Sequence, residues 1–191
     1  MRWSPVMWTE PSRSTASTAR TRSSTSRPSS DRSRGQLLDL AVQQAQPTRH
    51  RGPTVTGAQG AYFPARLHGG QLWVSGATAR TVAGPGLRGV VGDDVTAAQA
   101  REQAGIAALN LLGAIDAAVG LDAVNAVLHL RGYVRAVPDF DSQPGVIDGA
   151  SELLLAVFGS EVGAHARTAI GVASLPGQAC VELELVVAVG G

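Results

Sequence analysis

With 191 residues and a single cysteine, the chain has room for one domain of ordinary size plus flanking segments, and no internal disulfide can form. No apolar run approaches the ~18–20 residues that span a bilayer, because the most apolar helical stretch, 103–119, is broken by Asn110 and Asp116. Every basic residue is arginine, and the split is uneven: nine against three acids in residues 1–60, seven against twelve in 61–191. A front segment of +6 thus precedes a domain of −5, a poor candidate for holding nucleic acid.

Residues 1–34 are rich in Ser, Thr and Arg without aliphatic periodicity, and so predict a disordered tail. Their composition also describes an organelle transit peptide, while the absence of lysine suits an over-extended translation start in a GC-rich gene. Residues 36–46 read as a short amphipathic helix ahead of Pro47, and 47–60 as a Pro/Gly/Thr connector, so that 35–60 links the tail to a domain over 61–191. Phe63–Leu67 and Gln71–Ser75 predict two strands joined at His68-Gly69-Gly70, followed by a loop containing Gly84, Gly86, Gly89 and Gly92. That glycine cluster fits neither a phosphate loop nor a dinucleotide fingerprint.

Residues 96–119 carry the strongest helical signal. Thr96 with Gln99 three residues on forms a capping box, Ala100, Ala104, Ala107, Leu111, Ile115 and Ala118 recur at helical spacing, and Gly120 ends the run. Ala126–Val134 alternates Leu128, Leu130 and Val134 against His129, Arg131 and Tyr133, as a half-buried strand does. Residues 146–158 predict a second helix with Ile147, Leu154 and Phe158 inward and Gly159 as its stop. The resulting β-β-α-β-α-β-β order implies an α+β fold with both helices on one face of a mixed sheet. The other face then carries apolar groups without cover, and homo-oligomerisation is the simplest remedy.

Chemistry concentrates in the last two strands. Arg167 alternates with small residues, Ala169 and Gly171, and the run after the Leu-Pro-Gly turn carries Glu182 and Glu184. Small neighbours leave room for a ligand, and a planar fork of donors suits a bound carboxylate. The competing reading pairs Arg167 with Glu182 or Glu184 across subunits and leaves Glu182 as a solvated strand carboxylate. His129 and Arg131 share a strand face, where pairing with Asp139 and Asp141 of the following loop is expected. His165 reads as a rim residue, and Cys180, in an apolar run, as a small buried side chain compatible with a reducing compartment such as the cytoplasm. The four histidines are scattered without metal-ligand spacing, so no metal or other cofactor is expected.

The runs LWVSGA (72–77), DVTAAQAREQ (94–103) and above all ARTAIGVASLP (166–176) with VELE (181–184) resemble the Rid family, the YjgF-like reactive-intermediate deaminases also described as L-PSP endoribonucleases. The stretches 131–144 and 149–159 are similar to a less-studied branch, and the resemblance covers roughly 36–191. It implies a chorismate-mutase-like fold and a homotrimer with clefts between subunits. Carried over position by position, it implies that Arg167 clamps a substrate carboxylate and that Ala169 offers its backbone. It sets Glu182 near the reactive water, Tyr62 at the mouth of the cleft, and Ser75 and Gly76 on its floor. The asparagine usual on the second helix is replaced, with Ser151 as one alignment and Asp148 as another; an aspartate there would repel an anionic substrate.

The implied activity is hydrolysis of a 2-imino or enamine acid to a 2-keto acid and ammonia. Such a substrate is already electrophilic, so positioning and one oriented water supply most of the rate gain. A non-catalytic trimer that captures a small carboxylate is the alternative. Ribonuclease action, the family's other description, is disfavoured by the acidic domain.

Overall fold

The fold is known from a computed structural model that describes residues 60–190. The tail over 1–34, the short helix over 36–46 and the connector over 47–60 therefore lie outside the described residues, save Gly60. Strands β1 (Ala65–His68) and β2 (Gln71–Thr78) form an antiparallel hairpin. Helix α1 (Ala97–Val119), β3 (Val124–Arg135), α2 (Gln143–Val162), β4 (Ala166–Val172) and β5 (Val181–Val189) follow. This is the α+β order the sequence predicts, with both helices packed on one side of a five-stranded sheet. No helix is long and apolar enough to cross a membrane among the described residues.

The capping box at Thr96 and Gln99 is formed in both directions, and Gly120 ends α1. Its buried stripe is Ala100, Ala104, Ala107, Ala108, Leu111, Leu112 and Ile115, whereas Ala118, expected inward, is exposed where the last turn runs past the sheet. α2 begins at Gln143, three residues earlier than its periodicity indicates, because Pro144 fits the first helical turn without losing a hydrogen bond. At Gly159 the backbone turns to φ 80°, so the predicted stop is a sharp break followed by one more turn.

One pairing is not legible in the sequence, and one expectation gives way. First, the last two strands are not neighbours: the sheet order is β1-β2-β5-β3-β4, with β3 between β4 and β5 and parallel to β4. Burial explains the order. In β5, Val181, Leu183, Leu185, Val186 and Val187 are all buried and need neighbours on both sides, whereas β4 has no fully buried residue and takes the edge. Second, Val127 rather than Leu128 enters the core, because the pairing of β3 with β5 slips between Val127 and His129. One extra residue in a strand inverts the facing of what precedes it.

The core lies between sheet and helices, where Leu72, Leu130, Leu183 and Leu185 meet Leu111, Ile115, Ile147 and Leu154. The opposite sheet face is open. It presents Trp73 and Ile170, each nearly half exposed, together with His129, Arg131, Tyr133, Glu182 and Glu184.

Candidate active site

The residues singled out from sequence fall into two clusters on opposite faces of the sheet. Arg167 lies opposite the buried Leu130, so its side chain leaves the edge strand on the helix-bearing side. Its Nη1 donates to Asp148 Oδ1 at 2.6 Å and to Ser151 Oγ at 3.1 Å. Asp148 and Ser151 stand three residues apart on α2, the spacing that places two side chains on one helix face. Within the protomer the acid on this guanidinium is Asp148 of the helix, while Glu182 and Glu184 of the same chain lie on the opposite sheet face. Both candidates for the replaced asparagine touch it.

Behind Ser151 stands His165, which sequence reading leaves at the rim. Its Nδ1 lies 2.7 Å from the Gly163 carbonyl and its Nε2 lies 3.0 Å from Ser151 Oγ. A carbonyl only accepts, so Nδ1 carries a proton, and in the neutral ring Nε2 accepts from the serine hydroxyl. Ser151 is thereby left with lone pairs facing Arg167. Arg101 of α1 completes the cluster, donating to Gly145 O at 2.8 Å and to Glu152 at 2.7 Å, with Nη1 3.7 Å from Asp148 Oδ2. Ala169 follows on the same face of β4, partly buried against the core.

The second cluster occupies the open face. Glu182 of β5 pairs with Tyr133 on one side and Thr78 on the other. Beside it, β2 slips register between Val74 and Ala77, and Gly76 sits in that irregularity so close that a Cβ would overlap the Glu182 carboxylate. Burial, with a smaller contribution from Glu184, pushes the Glu182 pKa above the usual carboxylate range. Glu184 behaves oppositely. Burial pulls its pKa upward too, but hydrogen bonds from Tyr133 Oη (2.5 Å) and Arg131 Nη1 (2.9 Å) outweigh it and hold the group low. Two carboxylates two residues apart are thus driven in opposite directions by their surroundings.

Arg131 consequently pairs with Glu184 and not with Asp139 or Asp141, since its strand position points it across to β5 and not toward the loop. His129 Nε2 lies 3.2 Å from Thr168 Oγ1. Ser75 donates from Oγ to Phe63 O at 2.8 Å and from its backbone to Pro64 O at 2.9 Å, fixing the segment that carries Tyr62. Tyr62, Phe63, Arg66, Trp73, Ser75 and Glu184 line one shallow depression. Sequence alone assigns no role to Trp73 or Tyr133 and places His165 only at the rim. For His165 the usable signal is its place two residues before Arg167; for Tyr133 it is the shared face with Arg131.

A mixed sheet in this order, helices on one side, and separated guanidinium and carboxylate clusters define a chorismate-mutase-like α+β protein. Residues 48–187 match the family described as "YjgF/chorismate_mutase-like, putative endoribonuclease". The chain belongs to this family. Protein TCP17 of Trypanosoma cruzi is 42% identical over 120 residues, 62% of this chain and 75% of that protein. The crystal structure of Atu1372, a protein of unknown function from Agrobacterium tumefaciens, superposes with a TM-score of 0.68 at 34% identity, covering 82% of this chain and 97% of that one. A "putative endoribonuclease" from Shewanella oneidensis superposes at 0.70 with 26% identity, covering 81% and 98%.

Proposed function

We propose that this protein hydrolyses reactive 2-imino or enamine acids to 2-keto acids and ammonia, as a homotrimer whose clefts join the two clusters from neighbouring protomers. The observation that carries the reading is the separation itself. One protomer holds the Arg167 guanidinium on one sheet face and the Glu182 carboxylate on the other, with β3 between their strands. Neither cluster is complete alone, and the open face with Trp73 and Ile170 offers surface for a neighbour to cover.

In this scheme Arg167 binds the substrate carboxylate, with Ala169 beside it and Ser151 as a further polar contact, while Tyr62, Ser75 and Gly76 of the neighbour form the opposite wall. The iminium R–C(=NH2+)–COO− gains water at its carbon. Glu182 takes one proton from that water and returns it to nitrogen; as the C–N bond breaks, the carbinol O–H gives its proton to Glu182, which passes it to the departing ammonia, so that R–CO–COO− and NH4+ leave. A carboxylate whose pKa lies above its usual value is suited to both transfers. No cofactor or metal enters the scheme.

Mixed trimers test the shared site. Arg167→Ala and Glu182→Gln should each be inactive, measured as ammonia release from imines made in situ by an amino-acid oxidase. Co-assembly of the two variants should restore activity, because some clefts then receive both intact residues. Failure of mixing, with trimers verified by light scattering, overturns the shared cleft. The second reading, a non-catalytic carboxylate binder, draws on the Asp148 partner that Arg167 already has; binding of a keto acid without ammonia release would mark it. RNA cleavage surviving deletion of residues 1–60 would favour a ribonuclease instead.

A further inference from the structure

Arg167 spends only one of its nitrogens on the protein. Nη1 donates to Asp148 and Ser151, while Nη2 and Nε donate to nothing among the described residues. A guanidinium has five N–H groups, so one edge remains for a ligand carboxylate. Asp148 is equally underused. Its Oδ1 accepts from Arg167, but Oδ2 lies 3.7 Å from Arg101 Nη1, which already donates to Gly145 O, and the Asp148 side chain is 44% exposed. The two partners of this ion pair thus keep, respectively, donors and an acceptor oxygen for a ligand.

The charge tally sharpens this. Arg101 and Arg167 are opposed by Asp148 and Glu152, so the cluster has no net charge and offers a simple anion little long-range attraction. A ligand carrying an anion at one end and a cation at the other gains at both. We infer that Asp148 sets the ligand class at Arg167, selecting acids whose carboxylate neighbours a protonated nitrogen over acids that lack it. This rests on the reading of Arg167 as a carboxylate clamp. An iminium acid meets both groups when it binds; the keto acid left after hydrolysis has lost its cationic end, and Asp148 then repels it, which favours release.

L-Alanine and pyruvate share a carbon skeleton and differ at this nitrogen, and their binding by calorimetry reads the selection directly. The wild-type protein should bind alanine at least about tenfold tighter than pyruvate, the scale of one charge-assisted hydrogen bond. Asp148→Asn, isosteric and partly exposed, should bring the ratio near one by weakening alanine and strengthening pyruvate. Asp148→Ala should do the same, and Arg167→Ala should lose both ligands. An unchanged ratio in the folded Asp148 variants, a wild-type preference for pyruvate, or binding of neither ligand overturns the inference. Imine turnover with a ratio indifferent to Asp148 refutes the selection and leaves the hydrolase reading standing. An Asp148-dependent ratio without turnover does the reverse.

Discussion

Replacing Gly76 by alanine isolates the geometry of Glu182 from its chemistry. The added Cβ would overlap Oε1 of that carboxylate and stand 3.1 Å from its Cδ. Ordinary carbon contacts lie at about 3.5–4.0 Å, so the carboxyl carbon must retreat by roughly 0.4–0.9 Å and the oxygen further. Because the obstacle is the far end of a side chain, the fold absorbs the change by torsion, at about 0.5–1.5 kcal/mol. The reaction tolerates it less well: displacing an acid–base group by about 1 Å costs on the order of 100-fold in rate. Gly76→Ala should therefore unfold within a few degrees of the parent while kcat for imine hydrolysis falls about 100-fold. The assay is ammonia release from 2-iminopropanoate, paired with a thermal melt. Full activity in Gly76→Ala, set against an inactive Glu182→Gln, would falsify the argument that the close approach of β2 aims this carboxylate.

Other expectations follow from the same contacts. The Glu182 pKa is raised on folding, so ionising the group costs stability as pH climbs through the unfolded and then the folded value. Glu182→Gln should melt above the parent at neutral pH and converge with it in acid, as scanning calorimetry across pH would show. Glu184 has the opposite sign: its stabilisation is present above the unfolded pKa and disappears as pH falls through the lowered folded one. Tyr133→Phe removes one donor and should shift acid unfolding, followed by circular dichroism, to higher pH, with a loss near neutrality of at most about 1 kcal/mol given the exposure of the pair. Gly149→Ala on α2 drives its methyl into the backbone carbonyl of Arg101, where no torsion relieves the clash, and should cost about 1–3 kcal/mol in denaturant titration. An unchanged midpoint there would mean that α1 and α2 are free to slide apart.

Local signals in the chain gave reliable guidance and long-range ones did not. The capping box at Thr96, the break at Gly159 and the alternation through β4 depend on neighbours within a few residues, and each stands where its residue types require. Pairing of β5 with β2 and β3 depends on which strand needs two neighbours, a comparison of burial across the whole sheet. The short turn at Leu175–Gly177 accordingly links two strands that are not neighbours. The slip at Leu128 is invisible for a similar reason, since an extra residue is defined only against its partner strand. In the candidate site, Arg167 and the pair Glu182 and Glu184 stand out from type and pattern, and the family resemblance singles out Glu182. What they touch does not: Asp148 comes from a helix 19 residues away, and Glu184 finds its cation 53 residues back on β3.

Placing β5 at the sheet's centre makes the domain's latest-synthesised strand the one that joins the β1-β2 hairpin to the β3-β4 pair. Until it emerges, β2 and β3 each carry a free ladder edge and the apolar face of α1 lacks part of the floor beneath it. Folding on the ribosome must therefore wait for translation of the domain to finish, leaving the nascent chain sticky throughout. Clipping even a few residues from β5 removes the keystone, whereas trimming the peripheral β1 merely narrows the arch.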